Sequence, residues 1–312
     1  MEKYVILPDV TCDLSAEIRE MIGLEEYLEG YVNIDGKEIK TRLDWQNVSR
    51  DEFYKTLGSK KHEVSSAPAS PEEYYLLFKK YAEAGYGIIS LSLSSKISGT
   101  YNIASGAAAR VSEEFPECRI AAIDTLRMSG SFGLLVIYAC EMRREGKSFD
   151  EVVSWIEENK YRAHQMGPID DLSFIARRGR ITKGKAFMGN LVGIKPMGDC
   201  NSDGYVTVLA KVKGIKPALA ATVGYTKRMA REVEAQHILI MHSDREKYAT
   251  ELAELVKQSI PCRDVLVSDV FSGCGTNIGP GMISIYFMGD PVSENCESEK
   301  AALLEAIAEN SK

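Results

Sequence analysis

Histidine is scarce in this 312-residue chain, with four in all, and no H-E-x-x-H pair occurs, so a zincin-type metal site has no basis here. The seven cysteines (12, 118, 140, 200, 262, 274 and 296) are odd in number and contain no C-x-x-C spacing. That argues against a disulfide framework and against a zinc centre, and they read as reduced thiols of a cytoplasmic protein. No apolar run approaches the length that spans a bilayer, and the opening MEKYVILPDVTCD is a short strand followed by acids, not a signal peptide. No integral membrane segment is expected. Positive charge is not in excess: 38 Lys and Arg face 45 Asp and Glu, for a net charge of −7. A general nucleic-acid binder is therefore not expected. The first strand lacks G-x-G-x-x-G, which argues against a nicotinamide dinucleotide, and no repeat of solenoid period stands out. No cofactor or metal is expected.

What remains is an ordinary globular composition, 45% hydrophobic and 27% charged, in a chain long enough for two domains. Short β-type runs alternate with helical segments. Strands are expected at Tyr4–Leu7, Ile88–Leu93 and Arg119–Ile123, with helices near 15–21, 48–57, 71–84, 132–144 and 149–162. Asp35-Gly36 marks a hairpin turn within 31–39. The second half reads as strands near 193–197, 205–212, 237–241, 264–267 and 282–287, a short helix ending in the basic cluster Arg177-Arg178-Gly179-Arg180, and helices near 213–236, 246–258 and 299–308. The expected fold is α/β in two domains: residues 1–162 with a parallel sheet flanked by helices, and residues 163–312 with a mixed sheet and helices, a ligand lying between them.

Ile88–Ala104, IISLSLSSKISGTYNIA, is the segment around which a site is expected. A strand breaks into Ser94, Ser95, Ser98, Gly99 and Thr100, then passes into the small-residue helix 103–109. Simple serine capping would explain the hydroxyls. Three other segments of this half also end in small polar residues: Asp9–Asp13, Ser65-Ser66 and Asp124-Thr125. If all belong to one parallel sheet, their ends share the edge where ligands bind, and a helix N-terminus with hydroxyls beside it suits an anion. Asp13 reads as an N-cap. A phosphoryl-transfer Asp9 would want a second Asp two residues on, where Thr11 stands. G-x-S-x-G is absent too, so an enzyme using a strand-end Ser or Asp9 on a small anionic substrate is the alternative reading. His237 and His242 flank an apolar strand and are expected to be structural or at the surface.

Ser94-Ser95-Lys96-Ile97-Ser98-Gly99-Thr100-Tyr101 resembles the S-S-x-L-S-G-T-Y signature of the DegV family of bacterial fatty-acid-binding proteins. Further motifs follow in the family's order: Asp9–Leu14, Ser65-Ser66-Ala67-Pro68, Asp124–Gly130, Asp170-Asp171-Leu172, Gly179-Arg180-Ile181, Ile194-Lys195-Pro196 and Gly279-Pro280-Gly281. The resemblance implies two α/β domains with a long-chain fatty acid in a tunnel between them. It implies a carboxylate held by hydroxyls, here Ser65 or Ser66 and Ser94 or Ser95, with Asn277 at the position of the family's His before G-P-G. In some members the lipid is presented to a separate fatty-acid kinase, so a kinase subunit is the implied protein partner and the chain itself is no enzyme. Arg180 and Lys213 are the implied contacts to a phosphate or to that partner. Two departures bear on the kinase: Asn277 cannot carry a proton as His does, and Lys213 lacks the bidentate fork of the family's Arg.

Overall fold

The computed structural model describes residues 3–59, 61–177, 179–181 and 193–310. Its strands are β1 (Tyr4–Pro8), β2 (Tyr31–Ile34), β3 (Lys37–Lys40), β4 (Val64–Ala67), β5 (Gly87–Ser92), β6 (Ile120–Asp124), β7 (Ala163–Met166), β8 (Ile194–Cys200), β9 (Val206–Lys213), β10 (His237–His242), β11 (Asp264–Asp269) and β12 (Ile283–Met288). The helices are α1 (Ala16–Ile22), α2 (Arg50–Gly58), α3 (Pro71–Glu83), α4 (Thr100–Glu114), α5 (Ser129–Arg144), α6 (Phe149–Asn159), α7 (Ser173–Arg177), α8 (Ile215–Met229), α9 (Glu246–Ser259), α10 (Ser272–Ile278) and α11 (Glu297–Glu309).

Strands β1, β5 and β6 form a parallel sheet in the order β1-β5-β6. Successive side chains of a strand point to opposite faces, so Val5, Leu7 and Ile88 pack on α3 and α4, while Tyr4, Ile6, Ile89 and Leu91 pack toward α5 and α6. A mixed sheet runs β11-β10-β12-β7, parallel between β10 and β11 and antiparallel elsewhere. Its Ile238, Ile240, Ile283, Ile285 and Phe287 join a core with α8, α9 and α11, whereas Leu239, Met241, Tyr286 and Met288 turn toward α5. Helix α5 thus lies between the two sheets, which explains why Ser129–Ile137 is buried without interruption. Gly130 is required there, since a Cβ would run into the Tyr286 ring.

The α/β fold with a parallel and a mixed sheet agrees with the sequence reading. Local differences have local causes. Ser65-Ser66 lies in β4 and not in a loop at the parallel edge; β4 pairs with β2 in a separate antiparallel sheet, β3-β2-β4. Helix α8 stops at Met229, because Ala230 is extended and Glu232 is left-handed (φ 53°), so the expected helix over 213–236 ends early. The Gly-rich stretch after β11 forms α10. Asp13 is not an N-cap: Ser15 caps α1, accepting from the Ile18 N–H, while Asp13, fully buried with φ 53°, closes the C-terminal end of the 3-10 turn Val10–Cys12. His237 and His242 are both buried, so the surface reading fails for each; His237 bridges Asp264 and Glu141. Arg178 and the stretch 183–191 with Lys183, Lys185 and Phe187 lie outside the described residues.

Candidate functional site

A cavity of about 290 Å³ opens where β1, β4, the β5–α4 turn and α10 converge. Its polar lining includes Asp9, Thr11, Thr41, Ser66, Ser98, Thr100, Arg180 and Asn277, and its apolar lining includes Leu28, Leu93, Ile97, Met128, Ile175, Val206 and Ile278. Among the described residues no group of three or more His, Cys, Asp or Glu could hold a metal ion.

Ser66 faces the cavity because of strand parity. It stands opposite Val32, which is buried, whereas Ser65 stands opposite Asn33 and is exposed. Asn277, on α10, donates from Nδ2 to the Ser66 hydroxyl at 3.0 Å. The Ser66 proton finds no acceptor among the described residues, so it is available to an oxygen in the cavity. Opposite this pair, α4 begins at Thr100 behind Gly99, which offers no side chain, and the Ser98 hydroxyl accepts from the Thr100 N–H at 3.3 Å, leaving the next N–H groups of the first turn free among the described residues. Ser98 and Thr100 share a hydroxyl contact of 2.7 Å beside that open helix start. Free N–H groups and hydroxyls therefore line one end of the cavity.

Beneath it, Asp9 accepts from the N–H groups of Thr11 and Leu93, each at 2.9 Å, and from the Thr11 hydroxyl. Burial pushes its carboxyl up, and those hydrogen bonds pull the other way. Asp13 is deeper; it accepts from the Ser129 hydroxyl at 2.7 Å and the Phe271 N–H at 3.0 Å. Burial raises it to about 8, against the hydrogen bonds from Ser129, Cys274 and Phe271.

Of the residues expected from sequence, the cavity brings together Ser66, Asn277 and Arg180. Arg180 also donates from Nε to the Ile97 carbonyl at 2.9 Å, tying the second half of the chain to the β5–α4 turn. Ser65, Ser94, Ser95 and Lys213 are not part of the lining. Ser94 is fully buried and its hydroxyl donates to the Gly204 carbonyl at 2.9 Å. Ser95 is held by its own N–H, which donates to Asp124 at 3.1 Å. Lys213 ends β9, exposed, opposite Ile194. Thr11, Thr41, Ser98 and Thr100 line the cavity as well; Ser98 and Thr100 belong to the hydroxyl turn where the sequence places the anion, whereas Thr41 carries no signal in the sequence. For Ser98 and Thr100 the signal was present: a helix starting at Thr100, three residues earlier than expected, puts both at its first turn.

A second, inner chamber of about 50 Å³ shares Met128, Ile175, Val206 and Ile278 with the main cavity. It continues between α5 and the mixed sheet past Leu172, Pro196, Met197 and Met282. The two spaces adjoin at the four shared residues, the outer one polar at the α4 start and the inner one largely apolar.

The chain belongs to the DegV family: the family described as "Uncharacterised protein, DegV family" matches residues 3–290. A DegV domain-containing protein of Clostridium perfringens is 32% identical over 290 residues, spanning 93% of this chain and 99% of that one. Among solved structures, a fatty acid binding DegV family protein of Streptococcus agalactiae is 26% identical with a TM-score of 0.79, over 93% of this chain and 100% of its own. The Streptococcus pneumoniae Fatty Acid Kinase (Fak) B3 protein, loaded with linoleic acid, has a TM-score of 0.78 at 19% identity, over 92% of this chain and 100% of its own.

Proposed function

We propose that this protein binds a long-chain fatty acid without chemically altering it, the carboxylate at the polar end of the cavity and the tail along the apolar path. The observation that carries the reading is the junction of Ser66, Asn277 and the start of α4 on one cavity that adjoins a largely apolar inner chamber. A carboxylate gains from hydroxyl donors and from a helix N-terminus without a full buried counter-charge. Thr100, Ser98 and Ser66 are the proposed contacts, with Asn277 orienting Ser66 and Arg180 the nearest cation of the lining. The two halves, 1–162 and 163–312, are the proposed domains, each contributing lining residues.

The proposal extends to a protein partner, a kinase that acts on the presented carboxylate. The likeness to the pneumococcal Fatty Acid Kinase B3 protein supports this part. Asn277 and Lys213 make it a narrower claim, because neither supplies the proton or the fork that the family's His and Arg would. The proposed location is the cytoplasm; among the described residues no helix is long and apolar enough to cross a membrane. Nothing in the geometry favours the nucleophile reading: the Ser94 hydroxyl is spent on a carbonyl and Asp9 is saturated by Thr11 and Leu93.

Organic extraction of the purified protein followed by mass spectrometry tests the lipid reading. Near-stoichiometric fatty acid is the expected result. A lipid-free protein that also fails to take up added octadecanoic acid would refute it.

A further inference from the structure

The inner chamber is not uniformly apolar. Ser129, Gln165, Ser284 and Tyr286 line it alongside Met128, Met197, Met282 and their neighbours. The polar set is a consequence of strand parity. Ser284 and Tyr286 alternate along β12 with the core residues Ile283, Ile285 and Phe287, and Gln165 on β7 stands directly opposite Tyr286. One face of this part of the sheet is therefore a close-packed core, and the other presents an amide and two hydroxyls to the space beside α5.

Three of these groups are already engaged. The Ser129 hydroxyl donates to Asp13 at 2.7 Å, and the Tyr286 hydroxyl interacts with those of Ser129 and Ser284, which leaves Ser284 a spare lone pair. Gln165 differs. Its side-chain amide has one contact, at 3.5 Å, with the Ser131 hydroxyl, and that hydroxyl already donates to the Met128 carbonyl at 2.8 Å. Whichever way the amide is turned, one of its polar ends has no partner among the described residues. An unbranched hydrocarbon tail passing here would cover that end, and the spare lone pair of Ser284, without replacing the hydrogen bonds that water gives them, which is unfavourable. A hydroxyl on the tail would accept from the amide and donate to the Ser284 oxygen. A volume of about 50 Å³ admits a group of that size.

We propose that the inner chamber recognises a hydroxyl group borne on the bound acyl chain, so that the preferred ligand class is the hydroxy fatty acids. This rests on the fatty-acid reading above and names the ligand more narrowly.

The test is a binding series on the delipidated full chain: octadecanoic acid against positional isomers of hydroxyoctadecanoic acid, with displacement of a fluorescent fatty acid as the readout. At least one isomer is expected to bind about tenfold more tightly than octadecanoic acid, the gain of roughly one well-made buried hydrogen bond. Gln165→Leu and Ser284→Ala, examined separately, are each expected to bring that ratio of affinities toward one. If octadecanoic acid binds and no isomer exceeds it, the hydroxyl inference is overturned and the fatty-acid reading stands. If an isomer is preferred but the ratio survives both substitutions, the preference does not arise in this chamber and the inference is again overturned. If none of the acids binds, the fatty-acid reading fails and takes the inference with it. The isomer series needs no variant, so a misfolded substitution leaves the inference falsifiable.

Discussion

The amide of Asn277 donates to the hydroxyl of Ser66 across 3.0 Å, joining residues 211 positions apart. This bond fixes the direction of a cavity hydroxyl whose proton has no acceptor among the described residues. Removing the amide frees Ser66 to rotate away from a ligand oxygen. Asn277→Ala should therefore weaken fatty-acid binding by about tenfold, on the scale of one oriented hydrogen bond. Titration calorimetry of the delipidated variant with octadecanoic acid checks this, and an unchanged dissociation constant would remove Asn277 from the site.

Ser94 carries a different kind of contact. Its buried hydroxyl holds the Gly204 carbonyl, and a Cβ at Gly204 would collide with that hydroxyl, so turn and serine are fitted to each other. Ser94→Ala leaves a carbonyl without its donor, which costs roughly 1–3 kcal/mol. Chemical denaturation should register the loss as a lower midpoint at unchanged slope. If the variant instead keeps its midpoint and loses its lipid, Ser94 is a ligand contact after all.

Val206 and Ile175 line both the main cavity and the inner chamber, so a tail reaching from one to the other passes them. A phenyl ring at position 206 should close that passage. Val206→Phe is expected to lower affinity for octadecanoic acid by about tenfold while lowering that for tetradecanoic acid less, since only the longer chain needs the inner space. Equal losses for both acids would mean that the tail does not run this way.

Asp13 makes stability depend on pH in a definite direction. Its carboxyl is raised from 3.8 to about 8 by burial. The folded chain therefore keeps a proton that the unfolded chain has released, and stability falls as pH climbs from about 4 to about 8, with no further change from this group above that. Asp13→Asn removes the titration. The stability of wild type minus that of the variant should thus decrease across this window. Parallel stability curves for the two proteins would show that Asp13 titrates normally.

The sequence by itself determined the element types and the family. Tyr4–Leu7 is a continuous apolar run and Ile88–Leu93 is broken only by Ser90 and Ser92, the pattern of parallel strands covered on both faces, and the ordered motifs from Asp9 to Gly281 carry the resemblance. It also marked the neighbourhood of the site, because hydroxyls gather where β5 gives way to α4. Which hydroxyl faces a ligand was decided only by tertiary structure. Ser65 and Ser66 are adjacent, and the register of β4 on β2 alone turns the second inward, opposite Val32. Ser94 resembles Ser98 in sequence, yet the 201–204 turn, more than a hundred residues on, claims its hydroxyl. Gln165, Ser284 and Tyr286 meet because two distant strands pair in one register against α5. Local sequence sets a strand's periodicity but not the partner that fixes its phase, and a one-residue change of phase would exchange the faces of all these residues.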